Sequence, residues 1–587
     1  MRKLYTIRIY LLYRVKWKGL HMDINKHCLK YMILSSCLAA SLPLGVMAAD
    51  PQQASIAPPN AGTFLSELET NRIITPKPSK PVIDVSAPAQ QKQQKQQTEM
   101  KARIDKVVFS CADKDVSPLL QPLATPVLHR DMTFADMQTL AEKATMRLRQ
   151  EGYSMALVYV PVQGLQNNTL QLKALIGRYG DVAIRNTSSL MDNRVLGYTY
   201  PVRPGHLING NQLDKSLLIL NDIPGIQVKA SMAPGKKADT AKIDLNVENL
   251  ERYGGYVFVD NYGSRSSGRF RYGLDYHFNN VSHVGDQFDM TYLASTKGLH
   301  NYLFRYNIPV ARDGAMARIA YSRMNYDLGG RYSYLHGDGW ANTLELGITV
   351  PMKRTVNHSS FYDIAYRHRS LDDRLLDGVR SWRKSSDSIQ GEIHGYTRTF
   401  KDSFSYSLSH LYGNIGMDNA IAQKQDTLRH VAGWYAHSNV NTYYIHQYNN
   451  RLQLHASVSG QYAWKNLDSS EQFYLGGADS VRAFPQGETG GDSGLLGTLE
   501  MRYLTSVPGL QMTAFIDAGR VFYNHDNLLG EGNNCRDLAG VGLGLIYSKY
   551  RDWYAKFDWA TPWGSHYSSA EGNRVDNTYW FRVVKQF

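Results

Sequence analysis

Residues 269–278 read RFRYGLDYHF, and every second position is apolar or aromatic. A β-strand turns successive side chains to opposite faces. Phe270, Tyr272, Leu274, Tyr276 and Phe278 therefore share one face, and Arg269, Arg271, Gly273, Asp275 and His277 share the other. Residues 287–294 repeat the pattern with Phe288, Met290, Tyr292 and Ala294, and residues 302–310 with Tyr302, Phe304, Tyr306 and Ile308. A soluble β-sandwich also alternates, but it buries its apolar face. Charged inward positions recurring on strand after strand, beside so many tyrosines, fit a transmembrane β-barrel better. Residues 251–587 suit roughly 16 strands at about 21 residues per strand and connection. The chain ends in the alternating FRVVKQF, so Phe587 closes the last strand.

Composition agrees. The 587 residues include 39 Tyr and 48 Gly, with 20% charged and 11% aromatic. The one long apolar stretch is 31–49, preceded by Lys26 and Lys30 and followed by the small residues Ala48 and Ala49. That is the pattern of a signal peptide over residues 1–49, with Met22 a candidate true start. Leu34-Ser35-Ser36-Cys37 only faintly resembles a lipoprotein box, because the apolar run continues past it. No later stretch reaches the ~18 apolar residues of a spanning helix. An exported chain without such helices is either soluble or a barrel. Cys28 and Cys37 leave with the signal, so only Cys111 and Cys535 remain and disulfides are not what holds the fold. The +13 net charge is spread along the chain. It allows an acidic partner or lipopolysaccharide phosphate and suggests no nucleic-acid site.

Ahead of the barrel the chain divides into smaller parts. Residues 50–74 contain a helix at about 61–72, with Phe64, Leu65 and Leu68 on one side. It reads as either a frayed terminal helix or a docked plug. Residues 75–102, rich in Pro, Gln and Lys, read as an extended, mobile linker. Residues 103–177 form a small α/β module, with Thr133 capping a helix that runs to about Gln150. Residues 178–250 repeat the order strand, helix, strand, strand more loosely. Such sheets have open edges able to accept an extended partner as an added strand.

Near the C-terminus, residues 471–494 read EQFYLGGADSVRAFPQGETGGDSG, and AFIDAGRV follows at 514–521. Arg482 sits in the Gly-rich loop and Asp517 on a strand. The rigid five-donor fork of Arg suits a shielded carboxylate, so the two are expected to pair and hold the loop inside the barrel. The pair either stabilises the fold, serves transport, or does both. No ordered Ser, His and Asp set, HExxH motif, metal cluster or phosphate-cradling loop stands out, so no catalytic residue and no cofactor is assigned.

In this order of parts the chain resembles the two-partner secretion transporters, the TpsB branch of the Omp85 superfamily. The residues that carry the likeness are Leu217–Gly225 (LLILNDIPG), Asp260-Asn261-Tyr262-Gly263-Ser264, Phe473, Gly476, Gly477, Val481-Arg482 with Phe484, and Phe515, Asp517 and Gly519 in F-x-D-x-G. Ala483 departs from the family's usual Val-Arg-Gly-Phe, and is expected to be strained if that position needs a positive φ. The resemblance implies a 16-stranded barrel in the Gram-negative outer membrane, preceded by two periplasmic POTRA domains and a plug helix. It also implies the ATP-independent export of a large unfolded partner of haemolysin, adhesin or contact-dependent toxin type, recognised through an N-terminal secretion domain. The expected surroundings are outer-membrane lipid and lipopolysaccharide, with the barrel-assembly machinery during biogenesis and a monomeric state. A barrel-assembly insertase of the same superfamily, a plugged porin and an outer-membrane enzyme are the competing readings. Counting strands back from Phe587 puts 468–494, 523–538 and 561–577 outside the cell and the turns at 505–510 and 549–552 in the periplasm. On that count Cys535 is extracellular, Cys111 is periplasmic, and the two do not pair.

Overall fold

The computed structural model describes residues 58–70, 82–85, 101–111, 117–153, 155–237, 240–528, 532–549, 551–564 and 566–587. The expected signal peptide and start lie outside these residues. So does most of the expected linker.

From Tyr253 onward the chain forms a closed, all-antiparallel barrel of 16 strands. It closes where the first strand, Tyr253–Asp260, meets the last, Thr578–Gln586, in a register from Tyr256↔Gln586 to Asp260↔Arg582. The alternation in the sequence decides which face is which. Tyr272 is 48% exposed and Arg271 only 4%, so the aromatics face outward to lipid and the charges face the lumen. Strand length varies around the wall, from 8 residues in Tyr253–Asp260 to 19 in Arg380–Arg398.

Two α/β modules precede the barrel. In the first, Thr133 caps the helix Phe134–Gln150 in a reciprocal bond with Asp136. Leu140 and Leu148 on that helix pack with Phe109, Leu170 and Leu172 of the sheet. In the second, Asn209 caps the helix Gly210–Asp222. Leu213, Leu217 and Leu220 then pack on Val228, Ile243 and Leu245. Each module also has a short helix beyond the expected order, Ser117–Ala124 and Asp192–Tyr198. These were illegible because neither is long enough to show a helical period, and Pro122 interrupts the first.

The linker expectation needs correcting at one point. Val82–Val85 is a strand, paired in parallel with Lys229–Met232 at the edge of the second module's sheet. The sheet therefore has four strands rather than three. The stretch reads Val-Ile-Asp-Val, a β-prone run inside a Pro- and Gln-rich segment, and an open edge supplies the backbone partners it needs.

The second module is docked on the periplasmic rim of the barrel. Asp222, at the end of its helix, pairs with the buried Arg354 of the strand Asp338–Arg354. Met191 N donates to the His283 carbonyl (2.9 Å), and Asn280 Nδ2 donates to Ser189 Oγ (2.9 Å). Cys111 lies in the first module and Cys535 at the extracellular end of the strand Cys535–Ser548, and neither is in a disulfide.

Candidate functional site: the lumenal loop and the plug

Residues 464–492 connect the strands Leu452–Ala463 and Ser493–Leu504 at the extracellular end, and they fold back into the lumen. A short hairpin, Phe473–Leu475 with Thr489–Gly491, narrows the loop toward its tip. Gly476 (φ 93°) and Gly477 (φ 114°) turn the chain there through a region that favours glycine. Gly477 N then donates to the Phe484 carbonyl (3.0 Å), closing a compact turn around Arg482.

Arg482 is 3% exposed and Asp517 is fully buried. Arg482 Nε donates to Asp517 Oδ2 (2.8 Å), Nη2 to Oδ1 (2.9 Å), and the Arg482 backbone N–H to Oδ2 (3.2 Å). This is the two-pronged geometry for which guanidinium suits carboxylate, with a main-chain donor added. Nη1 donates to Glu500 Oε2 (2.6 Å), and Asp558 lies 3.6 Å away. Glu500 in turn accepts from Arg502 (2.6 Å), and Asp558 meets Lys556 (2.9 Å). Three strands and the loop thus contribute to one shielded cluster of alternating charge.

The F-x-D-x-G strand motif divides its work by position. Three inward-facing positions at i, i+2 and i+4 stand in a row on the strand Leu510–Phe522. The Phe515 ring lies under the guanidinium, 3.2 Å from Cζ to the ring centroid. Asp517 takes the charge. Gly519 leaves room for Leu475, since a Cβ there would fall 2.8 Å from its methyl carbons. Val481 and Phe484 are buried in the same cluster with Leu475, Phe515, Val521 and Leu538.

Ala483 is not strained. It is absent from the residues with positive φ, so the expected penalty does not arise. Its methyl instead lies against Gly540, where an added Cβ would come 2.3 Å from Ala483 Cβ. The glycine sits on the strand Cys535–Ser548, facing the loop, and not in the tip itself. The main chain on either side is also held, since Trp580 Nε1 donates to the Arg482 carbonyl (2.7 Å) and Thr578 Oγ1 to that of Ala483 (3.0 Å). The tip is therefore bonded to the last strand of the barrel as well as to Asp517.

The rest of the site is a helix. Ala61–Thr70 lies within the barrel, with Phe64 and Leu65 buried and Leu68 packed beside them against Leu293, Met324, Tyr326 and Leu371. Asn60 caps it by accepting from Thr63 N (3.0 Å). The Asp373 carboxylate accepts from Ala61 N (2.6 Å) and from the Tyr326 hydroxyl (2.6 Å), a favourable anion at a helix N-terminus. Further along, the buried Arg369 lies between Glu69 (2.6 Å) and Glu471 (2.5 Å). Ser66 Oγ donates to the Ser470 carbonyl (3.0 Å). One end of the loop thus holds the helix while its tip holds Asp517.

Sequence reading found Phe64, Leu65 and Leu68 through their helical spacing. It missed Arg369, Asp373 and Glu471. Arg369 and Asp373 lie on the alternating strand His358–Leu375 and Glu471 in a short turn of the loop, but their partners lie 300, 312 and 102 positions away.

With this geometry in view, comparison with known proteins places the chain. Residues 239–547 match the profile of the haemolysin secretion/activation proteins ShlB/FhaC/HecB, and residues 103–177 match the ShlB-type POTRA domain. The chain belongs to the haemolysin secretion/activation protein family. Its relatives in this family include the heme/hemopexin transporter protein HuxB of Haemophilus influenzae (strain 86-028NP), 25% identical over 94% of this chain and 99% of its own length. The outer membrane transporter CdiB of Dickeya dadantii is 22% identical over 68% of this chain and 71% of its own. Among solved structures, CdiB from Escherichia coli superposes with a TM-score of 0.73 at 17% identity, covering 91% of this chain and all of that one. CdiB from Acinetobacter baumannii gives 0.66 at 15% identity, covering 97% and 100%. Membership makes this chain an outer-membrane transporter of the two-partner secretion type, a 16-stranded barrel with POTRA domains on its periplasmic side. The family is one of transporters, and it supplies the role in which the Arg482 loop and the helix are to be understood.

Proposed function

We propose that the protein exports one large partner, unfolded, from periplasm to cell surface, and that the Arg482 loop and the helix Ala61–Thr70 together form the resting closure of its lumen. The observation carrying this reading is that a single loop touches both the Asp517 cluster and the helix. Any route through the barrel must displace at least the helix, and the loop is built to hold it.

The recognition step belongs to the POTRA modules. Their sheet edges accept strands, and the edge at Lys229–Met232 already carries one from this chain. A partner with an N-terminal secretion domain would be met there, in the periplasm. No nucleotide-binding motif is present in the sequence, so folding of the passenger outside the cell is the energy source proposed. The names of the relatives suggest passengers that handle heme or hemopexin, or the contact-dependent toxin type, and HuxB shares the greater length with this chain. The barrel acts as a monomer, surrounded by outer-membrane lipid and inserted by the assembly machinery. An insertase of the wider superfamily is disfavoured because the profile matched is that of the secretion proteins.

The test is co-expression with a large secreted candidate partner taken from the neighbouring reading frame. Arg482→Ala and Asp517→Ala are expected to lower the amount of partner outside the cell at least about ten-fold, while heat-modifiable gel mobility shows a folded barrel. Wild-type secretion from both variants would exclude a transport role for the pair. Absence of secretion by the unaltered protein would remove the export reading itself.

A further inference from the structure

On the strand Met316–Asp327 the outward positions run Ile319, Tyr321, Arg323, Asn325 and Asp327 toward the extracellular end. The neighbouring strand Asp338–Arg354 descends through the matching series Asn342, Leu344, Leu346 and Ile348. Both series leave the apolar band at one level, because Arg323 and Asn342 stand directly opposite each other. Below them Ile319 is 47% exposed and Leu346 45%. Met324 and Ala341, one position along each strand, face the other way and pack with the helix Ala61–Thr70 in the lumen. Arg323 and Asn342 therefore point away from the lumen, on the same face as the apolar residues beneath them.

An arginine on this face is costly deep in the apolar band and tolerated only at its edge. Arg323 therefore stands at the headgroup level of the outer leaflet. Aromatics frame it, as they do at that level: the Trp340 ring centroid lies 5.5 Å from its Cζ, and Tyr302 stands opposite it on the strand His300–Pro309. The protein supplies no counter-charge. Among the described residues Arg323 forms no ion pair, and its side chain donates only to the Asn342 carboxamide oxygen (3.3 Å), which the Tyr321 hydroxyl also reaches (3.4 Å). Most of the guanidinium fork and the Asn342 amide hydrogens are thus left to donate side by side. A phosphate is the anion this level of the leaflet offers, and the fork matches its oxygens.

We propose that Arg323 and Asn342 bind the phosphate of a phosphorylated outer-leaflet glycolipid, whose acyl chains lie on Tyr321, Ile319, Leu344 and Leu346 of the same outer face. A free anion would use the two donors but gain nothing from the apolar wall below them. The inference needs only the barrel's place in the outer membrane, so it stands or falls independently of the identity of the passenger.

Full-length protein in detergent, with a chelator present so that no divalent ion bridges phosphate to a carboxylate, would be titrated with bisphosphorylated lipid A, with lipid A stripped of both phosphates, and with inorganic phosphate. Native mass spectrometry would read the bound species. Arg323→Gln is expected to weaken binding of phosphorylated lipid A at least about five-fold, and Arg323→Lys to restore part of it. Asn342→Ala should also weaken it, and stands in if Arg323→Gln fails to fold. Arg451→Gln, at an exposed arginine in the periplasmic turn after the strand Gly433–Gln447, should leave it unchanged. Equal lipid A binding by wild type and Arg323→Gln, or by Asn342→Ala where it stands in, would overturn the proposal. So would an equal loss in Arg451→Gln, phosphate-free lipid A binding as well as the phosphorylated form, or inorganic phosphate binding as tightly as the lipid.

Discussion

Arg482 gathers more partners than a single ion pair needs. Its guanidinium serves Asp517 and Glu500, approaches Asp558, and lies on Phe515, while its carbonyl accepts from Trp580. A buried cation in such company is held by the whole set. Removing it strands several carboxylates, at about 3–5 kcal/mol for a buried pair. Ala483 shows a different kind of fit. Its methyl and the missing side chain of Gly540 are complementary, so each residue makes sense only with the other. Gly540→Ala should overpack the contact by about 1–3 kcal/mol, seen as a lower unfolding temperature and a shift toward the open state in bilayer recordings. Ala483→Gly in the same chain should return both to near wild type. If the double variant is as impaired as Gly540→Ala alone, the contact is not the reason for the glycine.

The helix Ala61–Thr70 is held by contacts at both ends and along one side. Its capped N-terminus points at Asp373, its apolar side meets the lumen wall at Met324 and Tyr326, and Glu69 reaches Arg369. A helix of 10 residues is marginal alone in water, so its order depends on the lumen. Deleting residues 61–70 should raise single-channel conductance several-fold in planar bilayers. Glu69→Gln should act in the same direction but more weakly, lengthening open events, because Arg369 keeps Glu471. Phe64→Ala, which removes a fully packed ring against Tyr326 (4.8 Å), should loosen the helix by about 3 kcal/mol. Unchanged conductance in the deletion would show that the helix does not close the lumen.

For the whole molecule, the count of strands and turns sets which end faces which compartment. Cys535 begins a strand at the extracellular end, and Cys111 lies in the first module. A membrane-impermeant maleimide applied to intact cells should label Cys535 and leave Cys111 unlabelled until the outer membrane is opened. Labelling of Cys111 in intact cells would invert the topology. The docking of the second module gives the assembly a fixed periplasmic mouth. Asp222 meets Arg354 there, and a main-chain bond from Met191 to His283 helps secure it.

The sequence by itself determined the barrel, its face assignment and the placement of the Arg482 loop. Strand alternation has a period of two and survives any packing, so Arg269 to Phe278 could be read without knowing their neighbours. Motif spacing likewise brought Phe515, Asp517 and Gly519 onto one side of one strand. The tertiary structure decided whatever depends on closing long loops of chain. That Arg369 stands between Glu69 and Glu471, that residues 82–85 complete a sheet, and that Gly540 makes room for Ala483 are contacts across 57 to 300 positions. No local pattern encodes such a partner, because a residue's own alternation or helical period says which way it faces and not what the folded chain brings to meet it.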